Sequence, residues 1–351
     1  MDIKEKIRQN RFFPLVRKNP LYKWRVKLVW HRHRKKILMD EARMAFAHSV
    51  PHGSFSDYRA ALKKNLVSYS EYMHQYEFWH LNEGERHTYV SRLEMRFWYQ
   101  EIIPEYIHQL FWNKAIWLES NRQYIHRSWY NLGETAIDDI ENRLDGSKYY
   151  ILKPIEGSLG EGIRKLKGTE IKKSLFDGIN SRDYILEECV VNIPEIAAFH
   201  PQSLNTIRVV TIGRNAEVLG AFLRVGRGGN VVDNAHAGGI FCTVDVETGR
   251  VISRGLDTDG NYYERHPDSN KEFMGFQIPL WGEIKTLLRE MHSLTPEVPV
   301  VGWDVALTPD GIEVIEANHL PDMDIMQSPL KIGIRERLND ILSRAGLPKL
   351  S

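Results

Sequence analysis

Three oxygen-bearing side chains fall at a telling spacing near the end of this 351-residue sequence: Asp304, Glu316 and Asn318, in GWDVALTPDGIEVIEAN. Between the acids, Thr-Pro-Asp-Gly reads as a hairpin turn, with Pro309 at its second position and Gly311 free to adopt a left-handed conformation. A three-residue loop would pair Thr308 with Ile312 and, stepping inward, Asp304 with Glu316. Asn318 then lies two residues further along the same face. Two carboxylates opposed among apolar neighbours repel unless a cation lies between them, and hard oxygen ligands suit Mg²⁺ carrying nucleotide phosphates. A solvent-exposed hairpin end with scattered charge is the alternative.

A second constellation precedes it. YYILKPIEGSLGEGI places Lys153 on a strand and then Gly157, Ser158, Gly160 and Gly162. A P-loop needs its lysine at the end of the loop, opening a helix, but here Gly162 is followed by Ile163 and Arg164. A dinucleotide fingerprint fails because Lys165 stands where its third glycine belongs. A protein-kinase loop carries its lysine on the strand after the glycines. A β–loop–β flap remains, its backbone free to fold over phosphates while Lys153 reaches in from the entering strand. The residues alone leave open a glycine-tipped hairpin with a surface lysine.

The third group is cationic. In NTIRVVTIGRNAEVLGAFLRVG, a hairpin with Asn215 in a left-handed turn position would put Arg208 and Arg224 on one face, where paired guanidinium groups hold a phosphoryl group or a carboxylate. A surface salt bridge is the alternative for either. Just beyond, Gly238 and Gly239 could present backbone N–H groups to a developing oxyanion. Asp233 is a guess for a general base. His236 and His319 neighbour these motifs but read as structural.

The elements that must position these groups follow from the chain's texture. Residues 40–125 show apolar positions three and four apart, as in helices, with Ser54 or Ser56 capping one and Pro104 ending or kinking another. From about 147 short strands alternate with Gly/Asn turns: KYYILKPI, GIRKLK, RDYILEECVV, LNTIRVVTI, EVLGAFLRVG, GGIFCTVDV and RVISRG. A helix over PLWGEIKTLLREMHSL precedes the acid-bearing pair, and an amphipathic helix closes the chain. This is an α+β pattern: a helical region over 1–110, a body over 111–186 carrying the glycine loop, and a body over 187–351 carrying the acids.

Composition narrows the function classes. The chain is 42% hydrophobic and 26% charged, ordinary for a water-soluble globular protein. Two cysteines without CxxC spacing argue against a disulfide framework or a cysteine zinc site, and no apolar run could span a bilayer; both fit a cytoplasmic protein. The net charge of +1 hides an asymmetry, because residues 1–50 hold 14 Lys/Arg against 4 Asp/Glu. The basic segment 17–36 interleaves those cations with Tyr22, Trp24 and Trp30. It reads as a helix packing its aromatics on the protein, or as a contact with anionic membrane; nucleic acid is the least favoured partner.

Taken together, ILKPIEGSLGEGI, ILEECVV, LNTIRVVTI, LRVG, VDNAHAGGI and GWDVALTPDGIEVIEANHLPD resemble the ATP-grasp superfamily, and most closely its sugar-transfer-associated branch, over roughly 110–330. The resemblance implies two α+β subdomains gripping ATP. Lys153 matches the flap-strand lysine, and Lys114 in FWNKAIWLE is similar to an earlier ATP-contacting lysine. Glu187, Glu188 and Val190 belong to the hinge that touches adenine, mainly by backbone, and Glu195 matches a ribose contact. Asp304, Glu316 and Asn318 match the Mg²⁺ ligands, with Arg208 and Arg224 facing the reacting phosphoryl group. Residues 1–110 depart from the family's usual open α/β substrate domain.

The resemblance implies an ATP-dependent carboxylate–amine ligase working through an acyl phosphate, on small-molecule or glycan-linked substrates of cell-surface polysaccharide pathways. A kinase phosphorylating a hydroxyl and a nucleotide-binding scaffold without turnover are the rival expectations.

Overall fold

The computed structural model describes residues 20–48, 52–157, 162–176, 180–228 and 238–350. Helix α1 (Pro20–His48) leads into α2 (Phe55–Asn65), which Ser54 caps by accepting from the Asp57 N–H at 3.1 Å. The 54–81 stretch expected as one helix is broken. Leu66 ends α2 in a left-handed conformation, and the chain restarts as a π-helix over Glu71–Gln75. The restart has a local cause: Ser68 and Glu71 bond reciprocally, side chain to backbone, as a capping box that opens the next helical segment.

Helix α3 (Arg92–Ile102) is capped by Ser91, and Pro104 separates it from α4 (Glu105–Trp112), as the sequence suggested. Helix α5 (Lys114–Ser120) follows directly. Tyr58, Tyr72, Tyr76 and Phe78 build a separate aromatic core for the 40–90 region, whereas α3 to α5 pack into the large core of the strand-bearing body.

Two antiparallel sheets form that body. The four-stranded sheet runs β1 (Trp129–Asn131), β4 (Tyr184–Glu188), β2 (Tyr149–Pro154), β3 (Arg164–Lys167). The seven-stranded sheet has the order β11-β10-β5-β6-β7-β8-β9. Its strands are β5 (Thr206–Ile212), β6 (Glu217–Val225), β7 (Ile240–Val244), β8 (Gly255–Leu256), β9 (Tyr262–Tyr263), β10 (Val300–Thr308) and β11 (Gly311–Asn318). Helices α6 (Trp281–Ser293) and α7 (Arg335–Arg344) bury apolar faces in the same large core.

Strand β1 was not anticipated; it is three residues long and half-buried, too short to alternate visibly. The RVISRG segment makes two isolated bridges, Val251 to Val244 and Arg250 to Gln277, before β8. The boundary expected at 186/187 falls inside β4, whose last residues, Glu187 and Glu188, stay in the four-stranded sheet. No helix among the described residues is long and apolar enough to cross a membrane.

Candidate active site

The β10–β11 hairpin delivers the acids by a route the sequence did not show. Thr308 pairs with Gly311, not Ile312, so the turn holds only Pro309 and Asp310, with Gly311 at φ +120°. Continued unbroken, that register would set Ile315 opposite Asp304 and turn Glu316 to the other face. Instead the ladder shifts after Val305–Val314, Ile315 is bulged out, and Asp304 pairs with Glu316 and Gly302 with Asn318. The expected pairing stands, reached by a shorter turn and a bulge.

Arg208 and Arg224 also come together, again by a different turn. Gly213 (φ +72°) and Ala216 (φ +47°) take the left-handed positions, not Asn215, and a register shift follows at Val210–Thr211. Arg208 pairs across β10 with Asp304 and grips its carboxylate with two guanidinium nitrogens, Nη2 at 2.8 Å. Arg224 Nη2 lies 2.8 Å from the same carboxylate.

Burial pushes the Asp304 carboxyl up, but the two guanidinium groups outweigh it and hold the group below its ordinary range. Glu316 presents surface to solvent, yet atoms crowd its carboxyl on the cleft floor. That desolvation, with the Asp304 charge opposite, pushes Glu316 up, while Lys153 and the two arginines pull the other way. Among the described residues no three of His, Cys, Asp and Glu gather as a metal set. Asp304 and Glu316 are two carboxylates, with the Asn318 amide as third donor. The frustrated pair and its hard-oxygen donors fit Mg²⁺.

Across the cleft, Lys153 on β2 is buried and pairs with Glu187 at 2.7 Å. Burial opposes the Glu187 charge, but Arg127 and Lys153 together hold its carboxyl below the usual range. The Glu187 side chain therefore points at these cations and not at a nucleotide base. The Glu188 N–H is taken by Ser128 and its carboxylate by Lys148, while Val190 continues the chain toward the 194–197 helical turn. Glu195 is exposed there, its carbonyl accepting from Lys271 at 2.7 Å.

Lys114, opening α5, donates to the Gly157 carbonyl at 2.8 Å, so it meets the start of the glycine loop. Burial and the neighbouring Lys153 lower its pKa; Glu316 and Glu187 act in the opposite sense. Gly157 (φ +126°) and Gly162 (φ +74°) adopt conformations that favour glycine, and a Cβ on Gly162 would meet Pro154 at 2.9 Å. Ser158, Gly160, Asp233 and His236 lie outside the described residues. Gly238 has φ +87° and Gly239 is buried at the entrance to β7.

Two contacts escaped the sequence reading. His319 is buried, and its Nε2 sits 2.6 Å from Nδ1 of His108 on α4, under the Phe111 ring. Burial, then the neighbouring His108, lowers His319 to about 4. Arg127, in an unremarkable IHRSWY run, is buried between Glu187 and Glu313. His319 sits in the acid-bearing motif and reads as structural, but its partner His108 and the partners of Arg127 lie far away in sequence; no local signal could have found these contacts.

The chain can now be set beside known proteins. A family model described as sugar-transfer associated ATP-grasp matches residues 122–343, a stretch that begins after Lys114. No curated protein matches the sequence. Among solved structures, similarity extends to the ATP-grasp ligase PsnB complexed with its minimal precursor, at 13% identity and TM-score 0.43, covering 73% of this chain and 68% of that one. It extends also to D-cycloserine synthetase DcsG, at 9% identity and TM-score 0.38, covering 67% and 72%. D-alanyl-alanine synthetase A from Vibrio cholerae O1 biovar eltor str. N16961 is similar at 13% identity and TM-score 0.36, covering 63% and 60%.

Proposed function

The chain belongs to the sugar-transfer associated ATP-grasp family, and from that premise we propose that it is an ADP-forming carboxylate–amine ligase. One observation carries the reading: Lys153 on the four-stranded sheet and Glu316 on the seven-stranded sheet lie within electrostatic reach across one cleft, with Asp304 directly opposite Glu316. That sets cations for phosphates against carboxylates for a phosphate-bound cation.

In this reading Asp304, Glu316 and Asn318 hold Mg²⁺, which when bound offsets the charge of the nucleotide phosphates. Lys114, Lys153 and the loop of Gly157, Ser158, Gly160 and Gly162 hold the phosphates themselves. The Glu187–Val190 segment lines the adenine end through its backbone, and Glu195 reaches toward the ribose. A substrate carboxylate attacks the γ-phosphorus, and Arg208, Arg224 and the Gly238–Gly239 N–H groups hold the acyl phosphate and its oxyanion. An amine then displaces phosphate to give the amide. Arg208 and Arg224 grip Asp304 in the structure and would turn toward the phosphoryl group when that carboxylate serves as a cation ligand.

The family description names sugar transfer, which is consistent with glycan-linked acceptors such as those of cell-surface polysaccharide assembly, and the basic segment 17–36 fits an anionic membrane face where lipid-linked glycans reside. The deciding experiment is ADP release with Mg²⁺ across a panel of carboxylates and amines, with hydroxylamine as a trap. Hydroxamate supports the ligase. ADP with a phosphorylated alcohol and no hydroxamate identifies a kinase, and nucleotide binding without ADP release a scaffold.

A further inference from the structure

Arg127 touches both sheets at once. It lies just before β1, 8% exposed, and its Nε donates to Glu187 Oε2 on β4 at 2.7 Å. Its Nη1 donates to the Glu313 carboxylate and to the Val314 carbonyl at 2.9 Å, and its Nη2 to the Ile315 carbonyl at 2.9 Å. The guanidinium fork thus spans from the flap sheet to the bulge that turns Glu316 toward Asp304.

The other Glu187 oxygen, Oε1, pairs with Lys153 at 2.7 Å. A buried carboxylate needs a cation. If Lys153 were its sole partner, moving that lysine to a nucleotide phosphate would strand the Glu187 charge in a dry site. Arg127 removes the difficulty, because its planar, always-charged group stays on Glu187 whether or not Lys153 does.

We infer that Arg127 is a positioning residue that shares Glu187 with Lys153, so that Lys153 can exchange this carboxylate for a nucleotide phosphate. The inference rests on the reading of Lys153 as a phosphate contact. It makes a specific claim about coupling. Without Arg127, Glu187 becomes a trap for Lys153; without both, the trap is gone.

The test is calorimetric binding of AMPPNP with Mg²⁺ to the full chain. Arg127→Met should weaken binding by about tenfold or more, the scale of losing a buried charge partner. Glu187→Gln alone closes the cycle and supplies the reference for the double variant. Adding Glu187→Gln to Arg127→Met should restore affinity by at least about threefold, a coupling of favourable sign. A merely structural arginine gives losses that add or deepen in the double variant, and that result overturns the inference. So does wild-type affinity in Arg127→Met. Should Arg127→Met fail to fold, Arg127→Gln, which removes the charge but keeps hydrogen-bonding groups, enters the same cycle with the same criteria. A wild-type chain that does not bind Mg²⁺–AMPPNP removes the nucleotide reading and this inference with it. Binding without the expected coupling removes only the role of Arg127.

Discussion

Asp304 and Glu316 face each other across β10 and β11 because one residue, Ile315, is bulged out of the ladder between them. The side-chain period of a strand is two, so a single extra residue decides which face Glu316 occupies. Deleting Ile315 should therefore remove the bulge and leave Glu316 opposite Asp304 in a regular ladder, with Mg²⁺-dependent ADP release retained, while Glu316→Ala in the full-length strand should lose activity with the hairpin register intact. Backbone NOEs across β10–β11, read beside ADP release, check both halves. An inactive deletion variant with that pairing intact, or an active Glu316→Ala, would show that Glu316 opposite Asp304 is not what the reaction needs.

The same opposition sets stability against function. Desolvation and the Asp304 charge both work against an ionised Glu316. Glu316→Gln should raise the melting temperature of the nucleotide-free protein by a few degrees, of the order of 1 kcal/mol, and at the same time abolish ADP release. A lower melting temperature would mean the carboxylate is a net stabiliser and that no cation is wanted there.

Arg208 and Arg224 hold the Asp304 carboxyl below its ordinary range against burial. Removing Arg208 leaves a buried carboxylate half-compensated, so Arg208→Met should cost about 3–5 kcal/mol near neutral pH. The sign follows from linkage. A carboxylate whose folded pKa is depressed lends stability above its unfolded pKa, and that stability is lost as pH falls through the folded value. The gap between wild type and Arg208→Met should accordingly narrow as pH drops below the usual aspartate pKa. Urea unfolding from pH 7 to pH 3 measures this, and a constant gap would refute the electrostatic account.

His292 supports the strand that carries Asp304. Its Nε2–H donates to the Val298 carbonyl at 2.8 Å, and its Nδ1 accepts from Thr211 at 2.7 Å; Thr211 in turn accepts from the Trp303 indole at 2.7 Å. This relay needs a neutral imidazole, and burial keeps the His292 pKa below its usual value. The unfolded chain binds the proton more readily, so stability should fall as pH drops below the ordinary histidine range. His292→Gln should be less stable at pH 7 and should flatten that acid limb. An equally steep limb in the variant would place its origin elsewhere.

The basic N-terminal segment yields a separate prediction. Deleting residues 1–36 should weaken sedimentation with vesicles rich in anionic lipid, and added salt should mimic the deletion. Unchanged vesicle binding would assign those cations and aromatics to packing on the protein.

Much of the site was legible because its signals are local. A lysine before a glycine loop excludes the common phosphate motifs by order alone, and the turn residues between Asp304 and Glu316 bring the acids to one hairpin. Ser54 announced the start of α2, and Pro104 the end of α3. By itself the sequence determined the α+β class and the family resemblance, and singled out Lys153, Asp304, Glu316 and Asn318, since each depends on neighbours a few residues away.

Only the tertiary structure decided how those groups are held. The bulge at Ile315 has no signature in its residue types, because either register buries apolar side chains. The two arginines on Asp304 depend on how β5 and β6 are aligned beside β10. Arg127 joins residues 60 and 186 positions away, and His108 meets His319 across 211. Such contacts exist once distant segments have been packed together; no periodicity or spacing along the chain encodes them.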